Sequence, residues 1–351
     1  MSVSINGTNG LTFNDASTQN TAASGFGFKN RIINGSMTID QRNAGASVTA
    51  SVTAAQTYAL DRWAYQASQA SKFTIQQNAG GVTPPSGFSN YMGVTSSAAT
   101  SAGAADYFLL NQIVEGFNIA DLNWGTASAQ AVTFSFWVRS SLTGTFSACV
   151  MNGSSNRSYP FTYTIASANT WTTIAVTVPG DTAGSWASNN TSGIRIVFSL
   201  GLGSNFNATA GAWTGTSNIF GATGAVSVVG TSGATFYITG VQLEKGSTAT
   251  SFDYRTYGTE LALCKRYGRP FPFIRSVGFL TTSGAAYVTA YFDVEMRAAP
   301  SATVAASITG SGFTGSGVYN HVSTSVTYAV STSTAGQYDF SNSSGFLSAE
   351  L

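Results

Sequence analysis

Apolar and polar residues alternate along eight short stretches of the chain. These stretches are residues 31–39, 71–77, 130–140, 144–152, 158–165, 171–178, 193–200 and 233–244, with Gly, Asn, Ser or Pro in the gaps between them. In QAVTFSFWVRS (130–140), Phe134 and Phe136 would lie on one face of a strand and Trp137 on the other. A period of two is typical of strands with one face on a core. The pattern therefore predicts an all-β fold, an antiparallel jelly-roll β-sandwich.

One stretch has helical spacing instead. Thr259 can cap a helix there, Glu260 follows at its start, and Lys265 lies near its end, an arrangement that the helix dipole favours. Gly268 can end the helix. The sequence predicts a short connector helix over residues 258–268.

These patterns divide the chain into four regions. Residues 1–27 are polar and turn-rich, and alone they cannot bury enough apolar surface to offset the entropy of ordering. We expect them to be an N-terminal attachment and oligomerisation segment, with a frayed terminus as the alternative. Residues 28–257 form the jelly-roll sandwich, and after the helix residues 269–351 form a small C-terminal β domain at the tip. Its core would be small enough to benefit from a partner chain.

Charged residues are unusually scarce. They make up 8% of the chain, with 15 Lys and Arg against 14 Asp and Glu and a formal net charge of +1. A typical globular protein has roughly 25%. Such a surface offers little field for steering a ligand and lacks the basic clusters that nucleic acids need, so no nucleic-acid partner is expected. A net charge near zero favours association, which indicates a fixed part of an assembly.

The chain start and its cysteines add two expectations. The first residues, MSVSINGTNGLTF, have no basic region followed by an apolar one, so no signal peptide is expected. No run approaches the roughly 18 apolar residues of a membrane helix, so no membrane insertion is expected. Cys149 and Cys264 are too few for a disulfide framework. They are either buried free thiols or one mutual disulfide.

Side chains that could carry out catalysis are few. His321 is the single histidine, which nearly excludes sites built on several histidines or on a nucleophile–histidine pair. No metal and no cofactor are expected. Glycan cleavage would need paired carboxylates, but Asp293 and Glu295, two apart on an expected strand, share a face with Arg297 and predict an ion network. We therefore expect no enzyme activity.

Loops that combine aromatic and short polar side chains are the candidate binding surfaces. Sugar rings stack on flat aromatic faces, and amide or hydroxyl groups bond their hydroxyls. The candidates are Trp186, Asn189, Asn190, Phe206 and Trp213 in the sandwich loops, and Tyr319 and His321 in the C-terminal domain. The competing interpretation is that each ring anchors its own loop against the sandwich.

Four stretches resemble parts of bacteriophage tail-fibre and related virion proteins. GATFYITGVQLEKGSTATSFDYRTYGTELALCKRY (233–267) resembles the end of a jelly-roll domain with its helical exit, and NRIINGSMTIDQRNAG (30–45) with YALDRW (58–63) resembles its first strands. YFDVEMRAAPSATV (291–304) resembles the start of the small domain that follows. TNGLTFNDASTQNTAA (8–23) is similar to a strand–Asp-Gly–strand element of fibre shafts, although here Ala follows Asp.

The resemblance implies a virion structural protein, a tail fibre or related receptor-recognising fibre, whose main domain is similar to a carbohydrate-binding module. It implies a homotrimer that contacts other virion proteins through residues 1–27. It also implies binding of host surface glycans without cleaving them, and assembly into the virion in the host cytoplasm.

Two other functions stay open on the sequence. The first is a capsid-decorating or head-fibre protein with no ligand, which would share the fold and the symmetry. The second is a glycan hydrolase, for which the chain shows no β-helix repeat.

Overall fold

The computed structural model describes residues 4–6, 10–12, 18–19, 28–303, 308–342 and 345–351. Before residue 28 it describes three short strands, β1 (Ser4–Asn6), β2 (Gly10–Thr12) and β3 (Thr18–Gln19), which pair in this order in an antiparallel sheet. The rest of the expected attachment segment, including the turn at Asp15, lies outside the described residues. The attachment role of residues 1–27 stays a prediction.

Two six-stranded antiparallel sheets form the main body. Their strands are β4 (Val48–Thr49), β5 (Thr53–Leu60), β6 (Trp63–Ala67), β7 (Phe73–Gln77), β8 (Met92–Ser96), β9 (Tyr107–Glu115), β10 (Val132–Ser140), β11 (Gly144–Asn152), β12 (Ser158–Ile165), β13 (Thr172–Val178), β14 (Ser192–Leu202) and, after the short strands β15 (Asn207–Ala208) and β16 (Gly221–Ala222), β17 (Thr235–Lys245). The first sheet has the order β13-β10-β17-β8-β7-β4 and the second the order β12-β11-β14-β9-β6-β5. Short 3₁₀ turns lie at Ala79–Gly81, Gly116–Asn118, Ala120–Leu122 and Ser204–Phe206.

The core lies between the two sheets, where the alternating side chains meet. Phe134 and Phe136 of β10 are 0% and 1% exposed, and their ring centroids lie 5.6 and 5.0 Å from that of Phe198 on β14 in the other sheet. Fully burying each such ring contributes roughly 1.5–3 kcal/mol. The predicted all-β fold with an antiparallel jelly-roll sandwich and one short helix is confirmed.

Residues 31–39 are buried or partly buried, but they do not form the expected strand. Asn34 and Met37 both have a φ of 57°, in the left-handed region, which interrupts an extended backbone. The side-chain amide of Asn34 accepts a hydrogen bond from the Ile39 N–H at 2.9 Å and donates one to the Ile39 carbonyl at 2.8 Å. A side chain thus occupies the position that a neighbouring strand would take.

The connector helix is present, with bounds that differ from the predicted ones. Helix α1 spans Tyr257–Lys265, and Thr256 occupies the N-cap position that Thr259 was expected to take. Lys265 in its last turn bonds Asp293 at 2.6 Å, and Glu260 in its first turn bonds Arg255 at 3.3 Å. No helix in the described part of the chain is long and apolar enough to cross a membrane.

The chain after α1 forms three three-stranded antiparallel sheets. Their strands are β18 (Gly268–Pro270), β19 (Ile274–Leu280), β20 (Gly284–Tyr291), β21 (Ser301–Thr303), β22 (Ile308–Ser311), β23 (Gly315–Val322), β24 (Ser325–Thr332), β25 (Gly336–Asn342) and β26 (Phe346–Ser348), in the orders β18-β26-β21, β19-β25-β22 and β20-β24-β23. Val326, Tyr328, Val330 and Phe340 are all 0% exposed and give this region its own core.

The strand expected at Asp293 and Glu295 is absent, because residues 292–300 are irregular. Asp293 pairs with Lys265 and, at 2.7 Å, with Arg269, so the charges tie this loop to the connector helix. The hydrogen bond from Lys265, reinforced by Arg269, lowers the pKa of Asp293 to about 2.

A buried ionic cluster holds the C-terminus of the chain against the sandwich. We call Arg42, Arg62, Tyr267 and Glu350 the C-terminal clamp. The Glu350 carboxylate pairs with Arg42 at 2.8 Å and with Arg62. The Arg62 guanidinium lies 3.6 Å from the ring centroid of Tyr267, and its side chain is 1% exposed. The last residues of the chain are therefore part of the sandwich surface.

Glu115 forms a second link between the sandwich and the segment after α1. Its carboxylate accepts hydrogen bonds from Arg266 at 2.8 Å and from the Tyr267 hydroxyl at 2.5 Å. Burial alone would raise the pKa of Glu115, but these two bonds and the charge of Arg266 lower it below its usual value. Folding thus favours the ionised form of this carboxyl.

Candidate functional site

The structure brings Trp186 and Trp213 together in one aromatic cluster with Trp124. The ring centroids lie 5.6 Å apart for Trp186 and Trp213, and 4.5 and 5.4 Å from Trp124, all in edge-to-face geometry. The three indole N–H groups donate to backbone carbonyls, those of Gln130, Pro179 and Ala183. The cluster therefore holds the loops at one end of the sandwich. Its indole N–H groups are already hydrogen-bonded within the protein.

Asn189 and Asn190 lie in a loop that contacts the rest of the protein through its backbone. The Asn189 side-chain oxygen accepts hydrogen bonds from the N–H and hydroxyl of Thr191, at 3.0 and 2.6 Å. The Asn190 carbonyl accepts a 2.8 Å bond from Arg297. This loop therefore joins the sandwich to the C-terminal region, away from the cluster of rings around Phe206.

Phe206 lines a cavity of about 290 Å³ on the outer face of the second sheet. We call it the Phe206 cavity; it is lined by Ala54, Gln66, Tyr107, Ser155, Arg195, Phe206, Asn218 and Phe220. The rings of Tyr107 and Phe206 are 5.2 Å apart and edge-to-face, and those of Phe206 and Phe220 are 5.5 Å apart and stacked. Three aromatic rings and three uncharged polar side chains, those of Gln66, Ser155 and Asn218, thus face one space together with Arg195.

The chain between β14 and β17 positions two of these rings. Strands β15 and β16 pair in parallel, with Asn207 opposite Gly221, so the residues before each strand, Phe206 and Phe220, lie side by side. The Phe220 N–H donates to the Phe206 carbonyl at 2.8 Å. A Cβ on Gly221 would lie 2.6 Å from the Ser147 hydroxyl. Glycine therefore lets this loop lie directly on the second sheet.

The floor of the cavity comes from alternating positions of β9 and β14. Leu110 and Phe198 point into the main core, whereas Leu109 and Val197 belong to a separate apolar cluster with Phe220 on the opposite face. Because side chains alternate along a strand, Arg195 shares the outer face with Val197. The second sheet is thus buried on both faces at β9 and β14, and the loop carrying Phe220 covers the outer side there.

Arg195 is a buried cation that has no acidic partner among the described residues. Its side chain donates to the Gln66 side-chain oxygen, and its guanidinium lies 5.3 Å from the ring centroid of Phe220. The residue is 6% exposed, and its Nε has no hydrogen-bond partner among the described residues. Burial lowers the pKa of Arg195 to about 10, so the group stays charged at neutral pH.

Asn111 adds unused hydrogen-bonding capacity on the same face of β9 as Tyr107. It is 0% exposed, and neither polar atom of its side chain has a partner among the described residues. Buried amides without partners cost free energy unless water or another group bonds them. The outer face of this sheet thus has both aromatic rings and unsatisfied polar atoms.

Tyr319 and His321 lie elsewhere, on β23 of the C-terminal region. Tyr319 is 67% exposed and Tyr287 54% exposed, and their ring centroids are 4.7 Å apart. His321 is exposed and pairs in register with Val326. These residues form an open sheet face, not a cavity, so the sequence-based candidates occupy separate places.

Sequence reasoning missed several residues of the Phe206 cavity, chiefly Tyr107, Arg195 and Phe220. One available signal was Arg195 itself, which is a lone charge in the apolar strand GIRIVFSL. Tyr107 opens a strand that is buried on both faces and has no clear alternation of apolar and polar residues.

Both cysteines are free and buried, Cys149 at 0% and Cys264 at 1% exposure. The alternative of a mutual disulfide is therefore wrong. Burial raises the pKa of the Cys149 thiol to about 12. Among the described residues, no group of three or more His, Cys, Asp and Glu side chains is placed to hold a metal ion.

No protein-family model matches the chain, and no curated protein matches it. Among solved structures, the chain is similar to the enzymatically active domain of tailspike protein 4 from bacteriophage CBA120, with 11% identity and a TM-score of 0.30; the match covers 62% of this chain and only 22% of that chain. The family 11 carbohydrate-binding module from Clostridium thermocellum, solved with a mixed-linked tetrasaccharide, matches with 11% identity, a TM-score of 0.27 and coverage of 59% and 98%.

The CBM22-1 xylan-binding domain from Paenibacillus barcinonensis is a third similar structure, with 10% identity, a TM-score of 0.27 and coverage of 59% of this chain and 99% of that chain. Scores this low do not assign a function. The β-sandwich is established by the strands and sheets of the chain itself.

Proposed function

We propose that the chain is a receptor-recognising fibre protein of a bacteriophage virion that binds host surface glycans in the Phe206 cavity without cleaving them. The observation that carries this proposal is the grouping of Tyr107, Phe206 and Phe220 with the polar side chains of Gln66 and Asn218 in one cavity. Aromatic faces and a few convergent polar groups are what sugar recognition needs.

The size of the cavity supports a small ligand. Its volume of about 290 Å³ is near the lower end, ~300 Å³, of typical ligand pockets. One sugar residue of a longer glycan would occupy it, and each site alone would bind weakly. Several copies on one particle would then bind the host surface tightly through avidity.

An exposed apolar row on β19 and at the residue just before it supports association of copies. Phe273, Val277 and Phe279 are 67%, 52% and 66% exposed, and β19 is at the edge of its sheet. Edge strands with exposed apolar side chains favour pairing with another chain. The chain then works as a homotrimer that is held to other virion proteins through residues 1–27. A sedimentation mass equal to the 36.3 kDa of one chain would contradict this part of the proposal.

Glycan binding is tested with full-length protein on a glycan array and by titration with the best array hit. Phe206→Ala removes one wall of the cavity and should weaken binding about tenfold, equivalent to about 1.4 kcal/mol for one stacked ring. Tyr319→Ala is the matched control, because Tyr319 is aromatic and 67% exposed but lies on a different sheet face.

Three results would contradict the proposal. Equal loss in both variants would move the site away from the Phe206 cavity. Absence of binding to any glycan would favour a capsid-decorating protein without a ligand, and release of reducing ends from host polysaccharide would favour a hydrolase.

A further inference from the structure

The buried arginines of the chain show what is unusual about Arg195. In the described part of the chain, Arg62, Arg195 and Arg269 are exposed by less than a tenth as whole residues, and the Arg255 side chain, 3% exposed, pairs with Glu260. Arg62 pairs with Glu350 and Arg269 with Asp293. None of the ion pairs among the described residues includes Arg195. Burying a cation without a counter-charge costs several kcal/mol, so such groups are normally paired.

The described residues around Arg195 provide no negative charge, so a counter-charge would have to come from a bound ligand. Its neighbours in the Phe206 cavity are neutral: two amides, a serine, an alanine and three aromatic rings, with no Asp or Glu. The guanidinium donates one hydrogen bond to Gln66, and its Nε has no partner in the part of the chain that the structure describes. A buried site also has a lower effective dielectric than water, which strengthens an interaction with an incoming anion.

The geometry favours a carboxylate on the sugar over a hydroxyl. A guanidinium presents a planar set of donors that matches a carboxylate, and charge-assisted bonds of this kind are about twice as strong as neutral ones. A hydroxyl could accept one hydrogen bond but would leave the buried charge uncompensated. The formal net charge of +1 gives no general attraction for anions, so any preference must arise at this residue.

We propose that the Phe206 cavity selects acidic saccharides, in which a carboxylate of the sugar pairs with Arg195 while its ring lies against the aromatic wall. This inference rests on the proposed glycan-binding function and names the chemical class of its ligand. Uronic acids and sialic acids are saccharides of this class.

The test is a titration of full-length protein, followed by NMR or calorimetry, with three probes. Methyl glucuronoside carries both ring and carboxylate, methyl glucoside carries the ring alone, and acetate carries the carboxylate alone. We expect the glucuronoside to bind at least tenfold more tightly than the glucoside and than acetate. The ratio to the glucoside should shrink modestly as NaCl is raised, because salt screens the ion pair, though less for a buried pair than for an exposed one, and does not screen the stacking.

Arg195→Gln should reduce the ratio of the two saccharide affinities to about one. Arg139→Gln is the matched control, since it makes the same change in charge on β10 of the other sheet and should leave the ratio unchanged. The salt dependence of the unmodified protein tests the same point without a substitution.

Each outcome supports or overturns a specific claim. Equal affinities for glucuronoside and glucoside overturn the selection of acidic sugars and leave glycan binding standing. Acetate binding as tight as that of the glucuronoside overturns the sugar part of the inference. Failure of both saccharides and of every array glycan overturns this inference together with the proposed function.

Discussion

Replacing Glu350 by Gln tests how much the negative charge of Glu350, as distinct from the size of its side chain, contributes to stability in the C-terminal clamp. The variant keeps the size of the side chain but removes the negative charge that Arg42 and Arg62 share. Arg62 is 1% exposed in its side chain, so water cannot take the place of the lost carboxylate. The variant therefore leaves a buried cation with no counter-charge.

The size of the effect follows from what Arg62 keeps. Breaking a buried ion pair by removing one partner typically costs about 3–5 kcal/mol. Arg62 still donates to the Ile113 carbonyl and still stacks on Tyr267, and Arg42 still lies 4.4 Å from the Phe346 ring centroid. We therefore expect a loss near the lower end, about 3 kcal/mol in the free energy of unfolding.

The measurement is equilibrium unfolding in urea followed by tryptophan fluorescence, since Trp63 is 0% exposed and reports the sandwich core. Asp339→Asn is the control, because it removes one charge from the exposed pair of Asp339 with Arg275 and should change stability little. Adding Arg62→Met to Glu350→Gln should restore part of the loss, since the unpaired charge is then gone.

A Glu350→Gln variant as stable as the Asp339→Asn control would refute the reasoning. It would mean that the clamp is hydrated in solution, so that Arg62 does not need Glu350 as its counter-charge.

Two further predictions concern the sandwich. The pKa of Glu115 is lowered on folding from its usual value of 4.5. Its contribution to stability is therefore complete above that value and is lost as pH falls through the folded value. Glu115→Gln should flatten that part of an acid stability profile, and an unchanged slope would contradict this prediction. Gly221→Ala places a Cβ 2.6 Å from the Ser147 hydroxyl, so it should destabilise the protein by about 1–3 kcal/mol and weaken glycan binding. Gly258→Ala in α1, where a Cβ meets nothing within 4 Å, should do neither. Equal melting temperatures of the two variants would contradict this prediction.

Much of the sandwich could be predicted because its strands have one face on the core. In β10, Phe134 and Phe136 are buried while Trp137 is less so, and the period of two is visible in the sequence. Strand β9 was missed because the loop carrying Phe220 covers its outer face. Every residue of β9 after Tyr107 is buried, including Asn111, Gln112 and Glu115, so its sequence shows no regular alternation of apolar and polar residues.

The candidate site could be predicted only in part. Rules for sugar binding singled out Phe206 from its own loop, and that ring does line a cavity. Its neighbours Tyr107 and Phe220 come from a distant strand and from the other side of the loop. Their grouping depends on the parallel pairing of β15 with β16, which joins only two residue pairs and has no signature in the sequence.

A departure from local sequence rules was nevertheless present at Arg195. An arginine in the middle of a strand whose neighbours are Ile194 and Ile196, both 0% exposed, opposes folding unless something offsets its burial. Residues whose burial lowers the stability of the fold in this way are expected at functional sites. In a chain with only 8% charged residues, a cation placed where no acid of the described chain meets it is best explained by an anion that arrives with the ligand.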